Sequence, residues 1–324
     1  MIKIDNLTRR YGSFAAVDDV SFRIERGEVV GLLGHNGAGK TTIMRMLTGF
    51  LEPTSGSIRI DDLTMGSDTA AIQRRIGYLP ENCPTWPEMS VLEFLEYQAL
   101  LHDVPEQRRA SAIIAAIRRT ELTDRVTQSI STLSRGYRQR VGVAQAILHS
   151  PDIIILDEPT NGLDPTQILH MRELIRDLAK SATVIVSTHI LQEVQAVCER
   201  VLILRAGRKV VDARLAELQQ DARLLVTLDA DEVRARPILS AVPGVSAVRL
   251  LSTLPGSSAA RYQYALSAEE ASTPEVARAV NAAGFALYGL LREQRTLEAL
   301  FADVNAGLTI AGAAARGSEV ARAA

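Results

Sequence analysis

An apolar run at 28–33, a glycine-rich loop and a helix-like stretch at 41–47 follow one another without interruption, and few folds accommodate that order. The loop reads Gly34-His35-Asn36-Gly37-Ala38-Gly39-Lys40-Thr41, a match to G-x-x-x-x-G-K-[ST]. Its glycines let successive backbone N–H groups curl round phosphate oxygens, and the helix that follows aims its positive end at the same point. Lys40 is placed to reach the terminal phosphates of a nucleotide, and Thr41, with Thr42 beside it, to ligate Mg²⁺. By background residue frequencies, a chain of this length meets the pattern by accident about once in a hundred. The segment is therefore read as a nucleotide phosphate site.

A second element agrees with it. Ile153-Ile154-Ile155-Leu156 is an apolar strand that runs into two acids, Asp157 and Glu158. A carboxylate at the end of a buried strand beside a phosphate loop holds Mg²⁺, which is the role expected of Asp157. Glu158 follows directly and is the candidate acceptor of a proton from an attacking water. Two acids at a strand end are ordinary in isolation; the loop at 34–41 gives them a shared purpose.

The stretches at 152–156 and 183–187 do not alternate in polarity, as strands buried on both faces do not. Residues 2–4 and 20–24 do alternate, with a break at Arg10-Tyr11-Gly12, and helical patterns fall at 91–102, 107–120 and 138–148. Strands interleaved with helices predict an α/β domain on a largely parallel sheet, ending near residue 213 after strand-like pieces at 200–204 and 209–211. Residues 214–305 change character. Strands at 223–228, 245–251, 261–266 and 285–292, with helices at 231–241 and 274–283 and a last helix at 296–304, predict a small α+β domain. Its order, β-α-β-β-α-β, is the ferredoxin-like motif. Residues 306–324 are mostly Ala, Gly and small polar residues, and a disordered tail is expected there.

Composition narrows the partners. The chain has 324 residues, enough for two domains, and a formal net charge of −2, with 36 basic and 38 acidic side chains. That balance offers no footprint for nucleic acid or an anionic membrane surface. Aromatic residues make up only 4%, too few for base-stacking platforms. Two cysteines, Cys83 and Cys198, build neither a disulfide framework nor a zinc site. No apolar run approaches the ~18 residues needed to cross a bilayer, and a charge at Lys3 interrupts any leader pattern. A cytoplasmic protein is expected, one that acts at a membrane only by docking onto another polypeptide.

Around the glycine-rich and acidic elements lie further motifs. Leu133-Ser134-Arg135-Gly136-Tyr137 precedes a helix, Asn161-Gly162-Leu163-Asp164 follows the acid pair, Ser187-Thr188-His189 ends a strand, and Tyr11 stands ahead of the first glycine loop. In this order, over residues 1–213, the chain resembles the ATP-binding cassette (ABC) ATPases, with their signature, D-loop, switch histidine and adenine-stacking aromatic. The resemblance implies a P-loop NTPase fold, ATP and Mg²⁺ as cofactors, and a homodimer of two ATPase subunits paired head to tail. Each ATP would lie between the Lys40 loop of one copy and the Ser134-x-Gly136 helix end of the other. Glu158 would be the general base, His189 would hold the γ-phosphate, Asp164 would bridge the dimer, and Tyr11 would stack on adenine.

Two departures stand out. Leu79-Pro80 is followed by Glu81 where the family usually has glutamine, and the signature carries Arg135 and Tyr137 in place of glycine and glutamine. Glu81 can still meet Mg²⁺ or water, and Arg135 is expected to add a positive charge that offsets it. These features are similar to ATPases of two-component ABC-2 exporters, in particular the group named after gliding motility. That implies a separate integral-membrane ABC-2 permease and a position at the inner face of the cell membrane. Residues 81–102, with Trp86, Met89, Phe94 and Tyr97, would form the groove for the permease's coupling helix, and residues 214–305 would clamp the dimer. A complex that spends ATP on moving a periplasmic partner without carrying cargo fits the same residues. Chromosome-type relatives, with long coiled coils, and two-cassette translation factors do not, and a GTPase would need the Asn-Lys-x-Asp guanine reader that this chain lacks.

Overall fold

Alternation of buried and exposed side chains carries the chain through its first hairpin. β1 (Ile2–Tyr11) and β2 (Phe14–Ile24) pair antiparallel, with Ile2 opposite Ile24 and Ile4 opposite Phe22, and these side chains are buried. β2 starts well before the alternation at 20–24. Register shifts around Leu7 and Arg9 absorb the residues that spoil the simple pattern. The computed structural model describes residues 1–220, 223–254, 260–293, 297, 298, 300 and 301. They divide into two units, one holding Met1–Arg214 and the other spanning Leu215–Ala302.

In the first unit, β3 (Val29–Leu33) leads into α1 (Lys40–Leu47), followed by β4 (Ser55–Ile60), β5 (Leu63–Thr64), α2 (Thr69–Gln73) and β6 (Ile76–Leu79). Three helices come next: α3 (Val91–Leu101), α4 (Glu106–Arg119) and α5 (Arg135–Ile147). Then β7 (Ile153–Asp157), α6 (Pro165–Ala179), β8 (Thr183–Thr188), α7 (Leu191–Val197), β9 (Arg200–Arg205) and β10 (Arg208–Arg214) complete the unit. The first two strands join β4 and β5 in an antiparallel sheet ordered β2-β1-β4-β5. A second sheet, ordered β10-β9-β3-β8-β7-β6, is parallel except for β10 at its edge.

Every residue of β3, β7 and β8 is buried, which explains why their sequences do not alternate in polarity. Burying one such Val, Leu or Ile side chain stabilises the fold by about 1.5–3 kcal/mol. Because these strands run parallel, their C-terminal ends share one edge: Leu33 lies opposite Thr188, and Asp157 opposite Ser187. The edge outside the carboxyl ends is where such sheets bind ligands.

α5 begins at Arg135, ahead of the expected 138. Ser134 caps it, accepting a 3.5 Å hydrogen bond from the Tyr137 amide, so Gly136 lies inside the helix rather than in a turn. α3 starts at a capping box in which Ser90 and Glu93 satisfy each other's backbone amides.

The second unit opens with α8 (Leu215–Gln220) and continues β11 (Arg223–Leu228), α9 (Glu232–Ser240), β12 (Val245–Leu254), β13 (Arg261–Ala268), α10 (Thr273–Ala282) and β14 (Leu287–Glu293). Its antiparallel sheet is ordered β12-β13-β11-β14, the strand arrangement of a ferredoxin-like fold. Ala235 and Leu239 of α9 and Val276 and Val280 of α10 share a separate core with Leu224, Val226, Leu228, Tyr264 and Leu266. The Tyr264 hydroxyl, buried in it, donates to the Ala230 carbonyl at 2.8 Å. Of the helix expected at 296–304, the described residues Leu297, Glu298, Leu300 and Phe301 are helical. The expected tail at 306–324 lies outside the described residues.

Candidate functional site

The loop after β3 turns back on itself through two glycines in the left-handed region, Gly37 at φ +82° and Gly39 at φ +103°. A Cβ on Gly39 would come within 2.6 Å of the Ala16 carbonyl, so close backbone approach as well as conformation demands glycine there. Lys40, the first residue of α1, is buried with its Nζ donating to the Gly34 carbonyl at 2.7 Å and to that of His35 at 3.4 Å. The same ammonium lies 3.5 Å from Oε1 of Glu158.

Asp157 ends β7 with no solvent exposure. The Ser187 hydroxyl, at the end of β8, donates to its Oδ1 at 2.6 Å. Burial pushes the Asp157 carboxyl above its ordinary range, while the hydroxyls of Ser187 and Thr41 pull the other way. Its Oδ2 is buried without a hydrogen-bond partner. A buried carboxylate oxygen left bare costs stability unless something cationic meets it. With the Thr41 hydroxyl on the same group, this is an oxygen donor set suited to Mg²⁺.

Glu158 sits in the left-handed region, at φ +50°, with its amide donating to the Ser187 carbonyl at 3.0 Å. Its Oε2 is 2.9 Å from His189 Nδ1. A carboxylate only accepts, so that nitrogen carries the hydrogen, leaving Nε2 for another partner. One acid thus spans Lys40 and His189 across the edge of the sheet.

A second group gathers at the start of α5. A Cβ on Gly136 would fall 2.4 Å from the Gln167 side chain, and one on Gly162, at φ +71°, 2.5 Å from the Arg135 guanidinium. Asp164 caps α6 by accepting from the Gln167 amide at 2.9 Å. Ser134, Gly136 and Asp164 therefore share one neighbourhood, with Gln167 at its centre. Glu81 accepts from Asn161 Nδ2 at 3.4 Å, and Asn161 also bonds through its amide to the Glu158 carbonyl. The two departures from the family pattern meet on adjacent residues of one loop, Glu81 at Asn161 and Arg135 at Gly162.

Tyr11, on the antiparallel sheet, is half-exposed at the end of β1 with the Arg9 guanidinium 4.7 Å above its ring. Two residues that motif reading missed lie beside these groups. Gln167 stands three positions after the cap Asp164, a spacing visible in the sequence. Glu193 is a buried acid on α7 that accepts from the Thr160 hydroxyl, and only its placement one helical turn past His189 hints at it.

A glycine loop closing over a buried lysine, opposite an Asp–Glu pair on a parallel strand, defines a P-loop nucleoside triphosphatase. Residues 17–161 match the family model described as ABC transporter. The ABC transporter ATP-binding protein NatA of Bacillus subtilis (strain 168) is 37% identical over 229 residues, which cover 69% of this chain and 93% of NatA. The bacitracin transport ATP-binding protein BcrA of Bacillus licheniformis is 37% identical over 210 residues, 64% of this chain and 68% of BcrA. A solved dimeric ATP-binding cassette in a post-hydrolysis state, bound to ADP and Pi, superposes with a TM-score of 0.61 at 26% identity, covering 66% of this chain and 99% of the cassette. The chain belongs to the ABC transporter ATP-binding proteins, and it is an ATPase. No helix among the described residues is long and apolar enough to cross a membrane.

Proposed function

We propose that this chain energises export through a separate ABC-2 type membrane permease, working as a head-to-tail homodimer at the cytoplasmic face of the membrane. The observation that carries the reading is the Lys40–Glu158–His189 constellation beside the bare Oδ2 of Asp157. Incoming ATP would place its phosphates in the loop at 34–41, with Tyr11 against the adenine, and draw the Lys40 ammonium off Glu158. Glu158, freed of that cation but still oriented by His189 Nδ1, would take the proton of the attacking water. His189, oriented through Nδ1 by Glu158, would hold the γ-phosphate from its Nε2 edge. Mg²⁺, held by Thr41 and Asp157 with Glu81 as a further oxygen donor, supplies charge neutralisation on the phosphates when bound.

The partner copy would bring Ser134 and Gly136, whose helix end adds a second positive dipole at the γ-phosphate, while Asp164 crosses the dimer seam. ATP then joins the two copies and hydrolysis releases them. The permease's coupling helix would dock on the α3 region, where Trp86 packs edge-on to Tyr97 at 5.0 Å between ring centroids and both remain partly exposed. The exported cargo is set by that permease.

Glu158→Gln is expected to bind ATP, stop turning it over and accumulate as a dimer by light scattering. Adding Lys40→Ala should abolish that dimer. A Glu158→Gln protein that stays monomeric with saturating ATP, with or without Mg²⁺, contradicts ATP-driven pairing of the chain. One that still hydrolyses ATP at the parent rate removes Glu158 from the role of base.

A further inference from the structure

Glu193 has no part in the mechanism above, yet it is among the most deeply buried acids of the chain, at 3% exposure. It lies in the first turn of α7, and its Oε2 accepts a hydrogen bond from the Thr160 hydroxyl. Thr160 is itself buried two positions after Glu158, and its carbonyl accepts from the Leu163 amide. At the other end, the Glu193 amide donates to the Ile190 carbonyl, and the Ile190 amide donates to the Thr188 hydroxyl. The carboxyl thus ties the loop leaving β7, which starts at Glu158, to the segment leaving β8, which carries His189. A buried carboxyl is costly to keep, and here burial raises its pKa, Arg172 opposes that rise, and the charges of Glu158 and His189 are also felt.

From this geometry we infer that Glu193 is a positioning residue for hydrolysis, holding Glu158 and His189 in their mutual 2.9 Å arrangement through Thr160. It acts through Thr160 rather than on the reacting atoms. The inference rests on Glu158 acting as the base. Phosphate binding through the loop at 34–41 does not pass through this link, so its loss should fall on turnover rather than affinity.

The test uses the full-length chain and compares steady-state ATPase rates with equilibrium ATP binding in the absence of Mg²⁺. Glu193→Ala is expected to lower kcat by about tenfold or more while leaving the ATP Kd within about twofold. Glu193→Gln keeps an oxygen that accepts from Thr160 and should retain kcat within about threefold of the parent. Thr160→Val, nearly the same shape, should reproduce the alanine defect, and the Thr160→Val/Glu193→Ala pair should be no worse than either change alone. Should Glu193→Ala fail to fold, the Thr160→Val rate decides the matter by itself.

Parent-like kcat in Thr160→Val, a multiplicative double variant, or a glutamine variant as impaired as alanine overturns the inference. Glu158→Gln, run in parallel, separates the two levels. If it is inactive while Thr160→Val and Glu193→Ala turn over normally, only the positioning role falls; if it remains active, both readings fall.

Discussion

At Gly162 two demands fall on one residue. Its left-handed backbone, φ +71°, disfavours a side chain on conformational grounds, and the Arg135 guanidinium occupies the space a Cβ would enter, 2.5 Å away. Gly162→Ala is therefore expected to cost about 1–2 kcal/mol in backbone strain alone and to displace Arg135 as well. Calorimetry should show a melting temperature lowered by several degrees. In an Arg135→Ala background the same change should cost only the backbone part, which a double-mutant cycle measures directly. The arginine is plain in the sequence as an added charge in the signature, and there it reads as a partner for phosphate. Its contact with a glycine on another loop is set by long-range packing of α5 beside the residues after β7, which no local spacing carries. Glu81 is similar: the residue type is legible, its hydrogen bond from Asn161 is not. Lys40, Asp157, Glu158 and His189 differ because each sits at the end or start of a strand or helix whose own pattern is strong.

Helix ends and the strands beneath them set a pH dependence. His149, just past α5, lies between ring and backbone: His102, at the end of α3, stacks on it with centroids 4.3 Å apart and planes within 6°, and its Nε2 is 3.1 Å from the Ile76 carbonyl of β6. The carbonyl must accept, so Nε2 bears the hydrogen and Nδ1 is left buried without a partner. Burial first, and then the neighbouring His102, lower the His149 pKa to about 4. An unfolded histidine takes up its proton near pH 6.5. Between those values the unfolded chain binds more protons, so stability falls as pH drops from about 6.5 to about 4, and this group adds no further loss below that. His149→Gln, which cannot titrate, should show a smaller fall in melting temperature between pH 7 and pH 5 than the parent chain. Element boundaries were legible where an apolar run stops abruptly, at glycines after β3 and at acids after the isoleucines and leucine of β7. They were not where a motif masks the cap: Asp164 reads as a family loop residue, yet it starts α6, with Pro165 at the first helical position. The short β5 and β6 offer too few residues for any period to show.

For the molecule as a whole, the site and the ferredoxin-like unit draw on separate cores. All the strands that present Lys40, Asp157 and His189 lie within Met1–Arg214, and the second unit packs its own sheet against α9 and α10. A chain ended at Arg214 is expected to keep its ATP affinity within about twofold. If residues 215–305 clamp the pair, light scattering should show the ATP-bound dimer of the Glu158→Gln variant dissociating at higher protein concentration once they are removed. The β-α-β-β-α-β order was legible because glycines such as Gly244 and Gly284, both at positive φ, separate helices from the strands that follow. One feature of the first unit reaches further. The loop from Glu158 to Asp164 has the proposed base at one end and the cap of α6 at the other; between them the Thr160 hydroxyl bonds to Glu193, Asn161 bonds to Glu81, and Gly162 lies against Arg135. In the head-to-tail pair proposed above, that strip would give every copy a lever whose two arms rest in different catalytic sites. On that reading, hydrolysis at one site of the pair would be felt at the other.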